Sequence, residues 1–175
     1  KNGLHLSSVL KAHSAPVMHI DFSTEGRLIR TNDYESQLKY WDTYEGVSVE
    51  GSEVSSAPNF NSVKNAKWST MTCPSDPNCV GIWNSTNDTM DDVRSIDFRV
   101  SNSPMNRLDG VVAVANDYGL LQIYKSPCNT ESRMQTYRGH TVHLTNVKFT
   151  CDGKKLISLG GLDRCIMQWH IGVDR

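Results

Sequence analysis

The chain has 175 residues, with 18 lysines and arginines against 19 aspartates and glutamates. That length suffices to bury one ordinary core. The balanced charge leaves no electrostatic footprint for nucleic acid or for a membrane surface, and no apolar run approaches the ~18 residues of a membrane span. Five cysteines (Cys73, Cys79, Cys128, Cys151 and Cys165) include no CxxC pair and leave an odd one. They read as reduced structural thiols in a cytosolic protein. Lys1 is not a natural start, so upstream sequence is expected. Asn84-Ser-Thr and Asn87-Asp-Thr match the glycosylation sequon, read here as chance matches in a polar loop.

Along the chain, Leu4 to Leu10 reads as an outer strand leading into the His13 loop. Val17, Ile20 and Phe22 then suggest an apolar strand with His19 facing outward. Glu25-Gly26 is a turn, and strands follow at Leu28 to Thr31 and Leu38 to Trp41. Segments 51–63 and 84–92, rich in Ser, Asn and Asp, read as surface loops. Between them Trp68, a turn at Pro74 and Pro77, and a strand from Cys79 to Trp83 make an incomplete unit. Val93 to Phe98, Val111 to Ala115 and Leu120 to Tyr124 are the strands of a third, interrupted by a polar loop at 101–108. The last unit is the clearest. Gly139-His140 opens it, Val142 to Phe149 is its first strand and Asp152-Gly153 its turn. Lys155 to Leu159 is the second strand, Gly160-Gly161-Leu162-Asp163 turns the chain, and Cys165 to Trp169 is the third. No segment sustains a 3.6-residue apolar period, so the chain is expected to be nearly all β.

The aromatics Trp41, Trp83, Tyr124 and Trp169 are spaced by 42, 41 and 45 residues, by subtraction of their numbers. His13 and His140 lie 127 apart, three such periods. A repeat of ~40–45 residues is that of a WD-type β-propeller blade. The expected architecture is an all-β, WD40-type partial propeller over 1–175, with units at about 4–50, 51–88, 89–131 and 132–172, the second degenerate. Rings of this type close with about seven blades. Four units are therefore about half of one, with an outer strand from elsewhere expected to complete the last sheet.

Within such a blade a loop His, a strand Ser or Thr, a turn Asp and a strand Trp can satisfy one another in a hydrogen-bond chain, which matters because an unpaired buried polar group costs about 1–3 kcal/mol. The last unit supplies His140, Ser158, Asp163 and Trp169. The first supplies His13, Thr31 and Trp41, but the residue six before Trp41 is Glu35, with Asp33 as the alternative carboxylate. The third has Asp117 and no loop His, and the second only Asp76. His, Ser and Asp invite a catalytic reading, but tied to an indole they leave no free nucleophile, and no oxyanion donors are identified. No catalytic residue is therefore assigned. The His and Cys spacings give no metal site, and Gly160-Gly161 is not a phosphate loop. No cofactor is expected.

Four stretches carry a family resemblance: Arg138-Gly-His-Thr-Val-His-Leu-Thr-Asn-Val with Leu156-Ile-Ser-Leu-Gly-Gly-Leu-Asp and Ile166-Met-Gln-Trp; Asn116-Asp-Tyr-Gly with Tyr124 and Ser126-Pro-Cys; Trp68-Ser-Thr-Met-Thr-Cys with Val80-Gly-Ile-Trp; and His13-Ser-Ala-Pro-Val with Asp21-Phe-Ser. Over residues 4–172 the chain resembles the C-terminal propeller of the echinoderm microtubule-associated protein-like family. The resemblance implies a non-enzymatic platform that binds tubulin or microtubules in the cytoplasm, on the cytoskeleton or in a cilium. The alternative is a general WD40 scaffold or substrate-recognition module. The family's hydrophobic motif and coiled coil have no counterpart in this sequence. Propeller geometry puts Tyr34, Tyr118, His143 and Leu162 on or near one face, as candidate partner-binding residues beside Arg99 and Arg107 in the insert loop at 99–110. Tyr offers large apolar area with few rotors and a polar tip.

Overall fold

The structure, a computed structural model, describes residues 3–44, 47–48, 63, 65–83, 93–99 and 110–171. Its described strands form three antiparallel sheets of β-propeller blades, and the chain divides into two compact units, 1–73 and 74–175. No helix among the described residues is long and apolar enough to cross a membrane.

The first unit holds one sheet of strands β1 (Val17–Phe22), β2 (Leu28–Asp33), β3 (Leu38–Asp42) and β4 (Val47–Ser48), in that order. The β1–β2 turn closes through Gly26, whose φ of 71° suits a residue without Cβ, and Ser23 Oγ accepts the Leu28 N–H at 3.0 Å. Two expectations are corrected here. Residues 3–13 form no strand, and Leu4 and Leu6 are fully or largely exposed, because no partner strand lies alongside them among the described residues. On β1 the apolar Ile20 and Phe22 are about half exposed, while Asp21 between them is completely buried. Asp21 is drawn inward by its partners. Arg30 Nε donates to it at 2.9 Å, Thr70 Oγ1 at 2.6 Å and the Thr72 N–H at 2.9 Å. The Arg30 guanidinium also lies 4.5 Å from the centroid of the Trp68 ring. Trp68 itself forms an isolated bridge with Ser23. The segment 66–73 is thus joined to the β1 end of the sheet by backbone bonds, Thr24 N–H to Lys67 O at 2.7 Å and Ser69 N–H to Phe22 O at 2.8 Å, and by the Asp21 side chain.

In the second unit, Pro77–Trp83 is a 3-10 helix, not the strand expected from Cys79 to Trp83. Pro77 lacks an N–H to give to a ladder, the Asp76 carboxylate accepts the Asn78 N–H at 2.7 Å, and the Asp76 carbonyl accepts the Cys79 N–H at 2.8 Å. The helix is clasped to the 128–129 loop, since Gly81 N–H donates to Cys128 O and Cys128 N–H to Asn78 O, both at 2.9 Å. Trp83 therefore keeps the aromatic spacing without occupying a blade strand.

Two sheets complete this unit. The first contains β5 (Val93–Arg99), β6 (Gly110–Asn116), β7 (Leu120–Ser126) and β8 (Met134–Arg138); the second orders β11 (Ile166–His170), β10 (Lys155–Gly160) and β9 (Leu144–Phe149). The two-residue period of β6 divides the core. Val112 and Val114 face Cys79, Ile82, Ile96, Tyr124 and Cys128, while Ala113 and Ala115 pack with Leu121, Leu144, Val147 and Leu156. Small side chains on that second face let the two sheets approach closely. β8 pairs with β7, so the strand that leads into the His140 loop serves the preceding sheet. The sequence repeat and the sheet are thus offset by one strand. Among the described residues β11 pairs only with β10, and an apolar groove of about 270 Å³ lies beside it, lined by Leu121, Ile123, Tyr137, Phe149, Trp169 and Ile171 among others.

Candidate functional site

The last sheet assembles the expected polar chain in full. His140 Nδ1 lies 2.7 Å from Asp163 Oδ2 and Nε2 lies 2.8 Å from Ser158 Oγ, which also accepts the Trp169 indole N–H at 2.8 Å. An ionised carboxylate only accepts, so His140 Nδ1–H donates to Asp163 and Nε2 accepts from the Ser158 hydroxyl. The Cys165 backbone N–H holds the Asp163 carboxyl below its usual range, burial opposes this, and the His140 hydrogen bond adds to the lowering. Ser158 is fully buried. A serine with no solvent access, its proton committed to one ring and its oxygen to another, cannot attack a substrate. A Cβ at Gly160 would lie 1.7 Å from Asp163 Oδ1, which explains the small residue beside this carboxylate.

The first unit repeats the arrangement. His13 Nδ1 is 2.8 Å from Asp33 Oδ2, His13 Nε2 is 2.6 Å from Thr31 Oγ1, and Trp41 Nε1–H donates to the same oxygen at 2.7 Å. Asp33 is therefore the partner. Glu35 instead accepts from Ser14 Oγ at 3.3 Å. The middle sheet, β5–β8, is built differently. Arg94 Nη2 donates to Asp117 Oδ2 at 2.8 Å, and Val114 stands in register where Thr31 and Ser158 stand in the other sheets. The Tyr124 hydroxyl donates to Met134 Sδ at 3.2 Å, replacing the indole link.

The sequence reading missed a second recurring device. Ile-Asp-Phe occurs at 20–22 and at 96–98. Asp97 Oδ2 accepts the Phe149 N–H and Oδ1 the Lys148 ammonium, both at 2.7 Å, just as Asp21 accepts the Thr72 N–H. Each aspartate reaches from the first strand of its sheet to the backbone of the next segment. The repeated tripeptide, 76 residues apart by subtraction, was the available signal.

The candidate partner-binding residues fall in different places. Tyr34 lies in the β2–β3 turn of the first unit, half exposed, its N–H bonded to Pro16 O at 2.9 Å. In the second unit Tyr118 and Leu162 are 60% and 76% exposed at the tips of the β6–β7 and β10–β11 turns. The two turns flank the loop 140–143. A Cβ at Gly119 would lie 2.7 Å from Val142 O, and Gly161 N–H donates to His143 O at 3.0 Å. His143 is half-buried under Gly161. Arg99 sits at the opposite end of β5 from Arg94 and donates to Gly153 O at 2.6 Å, so it clamps the β9–β10 turn. Arg107 lies outside the described residues. Among the described residues no group of three His, Cys, Asp or Glu side chains is placed to hold a metal.

A family model described as the echinoderm microtubule-associated protein second beta-propeller matches residues 1–171. Echinoderm microtubule-associated protein-like 3 of Mus musculus is 29% identical over 160 residues, covering 91% of this chain and 16% of that protein. Echinoderm microtubule-associated protein-like 4 of Homo sapiens is 31% identical over 160 residues, covering 91% of this chain and 15% of its own length. The 77 kDa echinoderm microtubule-associated protein of Lytechinus variegatus is 28% identical over 160 residues, or 91% of this chain and 22% of that protein. The chain thus spans less than a quarter of each of these relatives. With the blades, the polar chains and a family match over nearly its whole length, this chain belongs to the echinoderm microtubule-associated protein-like family, in the region of its second β-propeller.

Proposed function

We propose that this chain is a non-enzymatic docking platform that engages tubulin or microtubules on the cytoplasmic cytoskeleton. One observation carries the reading. The polar groups that could do chemistry in the first and last sheets are tied to one another, while turns at the tips of the blades hold Tyr34, Tyr118 and Leu162 outward. That arrangement suits recognition by shape, with large side chains on rigid turns, rather than turnover. The partner class rests on the relatives, which are named as microtubule-associated.

Co-sedimentation tests it. The chain is expected to pellet with stabilised microtubules or to co-elute with free tubulin dimer. A chain that stays in the supernatant and ignores the dimer contradicts the tubulin reading and favours a general WD40 scaffold.

A further inference from the structure

The turn before each aromatic-bearing third strand contains one residue in the left-handed region, always five positions before the aromatic: Ser36 (φ 64°) before Trp41, Gly119 (φ 74°) before Tyr124, and Arg164 (φ 56°) before Trp169. Glycine adopts this conformation at no steric cost, whereas a Cβ crowds the backbone there. An arginine at such a position is a strained choice, and strain of this kind is retained where the surroundings or a function require it. The fold makes no use of the Arg164 side chain. It is exposed, and among the described residues no hydrogen bond, ion pair or ring contact engages it.

Its neighbours define what it could meet. The nearby carboxylates are already matched, Asp117 by Arg94 and Asp163 by His140 and the Cys165 N–H. His143 is half-buried against Gly161. Among the described residues the exposed charges left unmatched at this end of the blades are positive: Arg164, and Arg138 opposite Leu120 on β8. Beside Arg164 stands Leu162, two residues away on the same turn, and across the 140–143 loop stands Tyr118, both largely exposed. The turns are held rigidly. Tyr118 N–H and Leu120 N–H both donate to Asn116 Oδ1, at 3.0 and 2.9 Å, and Gly160 N–H donates to Cys165 O at 2.9 Å. A cation carried on a held turn, with exposed apolar side chains on its own turn and on the turn across the 140–143 loop, complements a chain that alternates carboxylates with apolar side chains.

We infer that the Tyr118, Leu162 and Arg164 turns form a docking site for an acidic, extended protein segment, in which Arg164 takes a carboxylate and Leu162 and Tyr118 take the flanking apolar side chains. The inference deepens the docking reading above and rests on it for the biological partner.

The test is fluorescence anisotropy of the full chain with an end-labelled peptide of Glu-Glu-Leu triplets, and with its Gln-Gln-Leu counterpart. The acidic peptide should bind and the glutamine peptide should not. Arg164→Gly should weaken binding about tenfold, the effect of losing one charge-assisted hydrogen-bonded contact. Its circular dichroism should be unchanged and its Tm equal or higher, since glycine relieves the turn. Leu162→Ser should weaken binding without altering the fold. Equal affinity of wild type and Arg164→Gly, equal affinity for both peptides, or binding of neither would overturn the inference. Parallel co-sedimentation separates it from the broader reading. Microtubule pelleting with peptide binding indifferent to Arg164 defeats the site alone. Arg164-dependent peptide binding by a chain that does not pellet defeats the cytoskeletal reading alone.

Discussion

Asp21→Ala should destabilise the first unit by about 3–5 kcal/mol, the cost of leaving one member of a buried ion pair uncompensated. Asp21 and Arg30 are 0% and 1% exposed, and their side chains meet at 2.9 Å. Removing the carboxylate takes away the anion that pairs with the buried Arg30 charge. It also strips the Thr70 hydroxyl and the Thr72 and Cys73 N–H groups of their acceptor. The segment 66–73 should then detach from the sheet, which urea unfolding followed by Trp68 fluorescence would register as a lower midpoint. An unchanged midpoint contradicts this account. Pairing Asp21→Leu with Arg30→Met should recover much of the loss, because no buried charge then remains. Acid should imitate the single substitution. Burial pushes the Asp21 carboxyl up, but the Thr70 hydroxyl, the Arg30 guanidinium and the Thr72 N–H outweigh it and hold the group below its usual 3.8. A carboxyl lowered in the folded state stabilises the protein above its unfolded pKa, and that contribution is lost as pH falls through the folded one. Stability should therefore stay level in this respect down to about pH 4–5 and fall below it, and Asp21→Asn should flatten that fall.

Gly81→Ala should cost about 3 kcal/mol, at the upper end of what overpacking does. The added Cβ would lie 1.9 Å from Asn129 O and 2.8 Å from Cys128 Sγ. The first of these is a backbone atom, which cannot rotate away. The 3-10 helix must lift off the 128–129 loop, and the cluster of Cys79, Ile82 and Cys128 opens with it. Thermal unfolding gives the measurement. An unchanged Tm would show that helix and loop are not closely seated.

Much of the blade architecture was readable because β-strands write a two-residue period into the sequence and blades write a longer one above it. The strands around Trp41, Tyr124 and Trp169 follow from that, as does the polar chain of the last sheet. The misreadings have physical causes. Trp83 keeps the spacing, but Pro77 and a glycine buried against another backbone favour a 3-10 helix. Asp33 is the last residue of β2, whereas Asp163 lies within its turn, so a fixed offset of six pointed to Glu35, while the contact with His13 selects by reach, not by count. β1 read as apolar-in because pattern alone cannot foresee that Arg30 and two threonines draw an aspartate inside. Arg164 carried no sequence signal, since only a dihedral angle distinguishes it from any other surface arginine.

His140, Ser158, Asp163 and Trp169 either hold the blade together or perform chemistry. Ser158→Ala decides this, measured as urea stability alongside labelling of the wild-type chain by a serine-reactive fluorophosphonate. With the indole N–H and the imidazole left unpaired, stability should fall by about 1–3 kcal/mol, and the native chain should resist the label because Ser158 is fully buried. Unaltered stability together with rapid labelling at Ser158 would mean an open nucleophile, contrary to a docking platform.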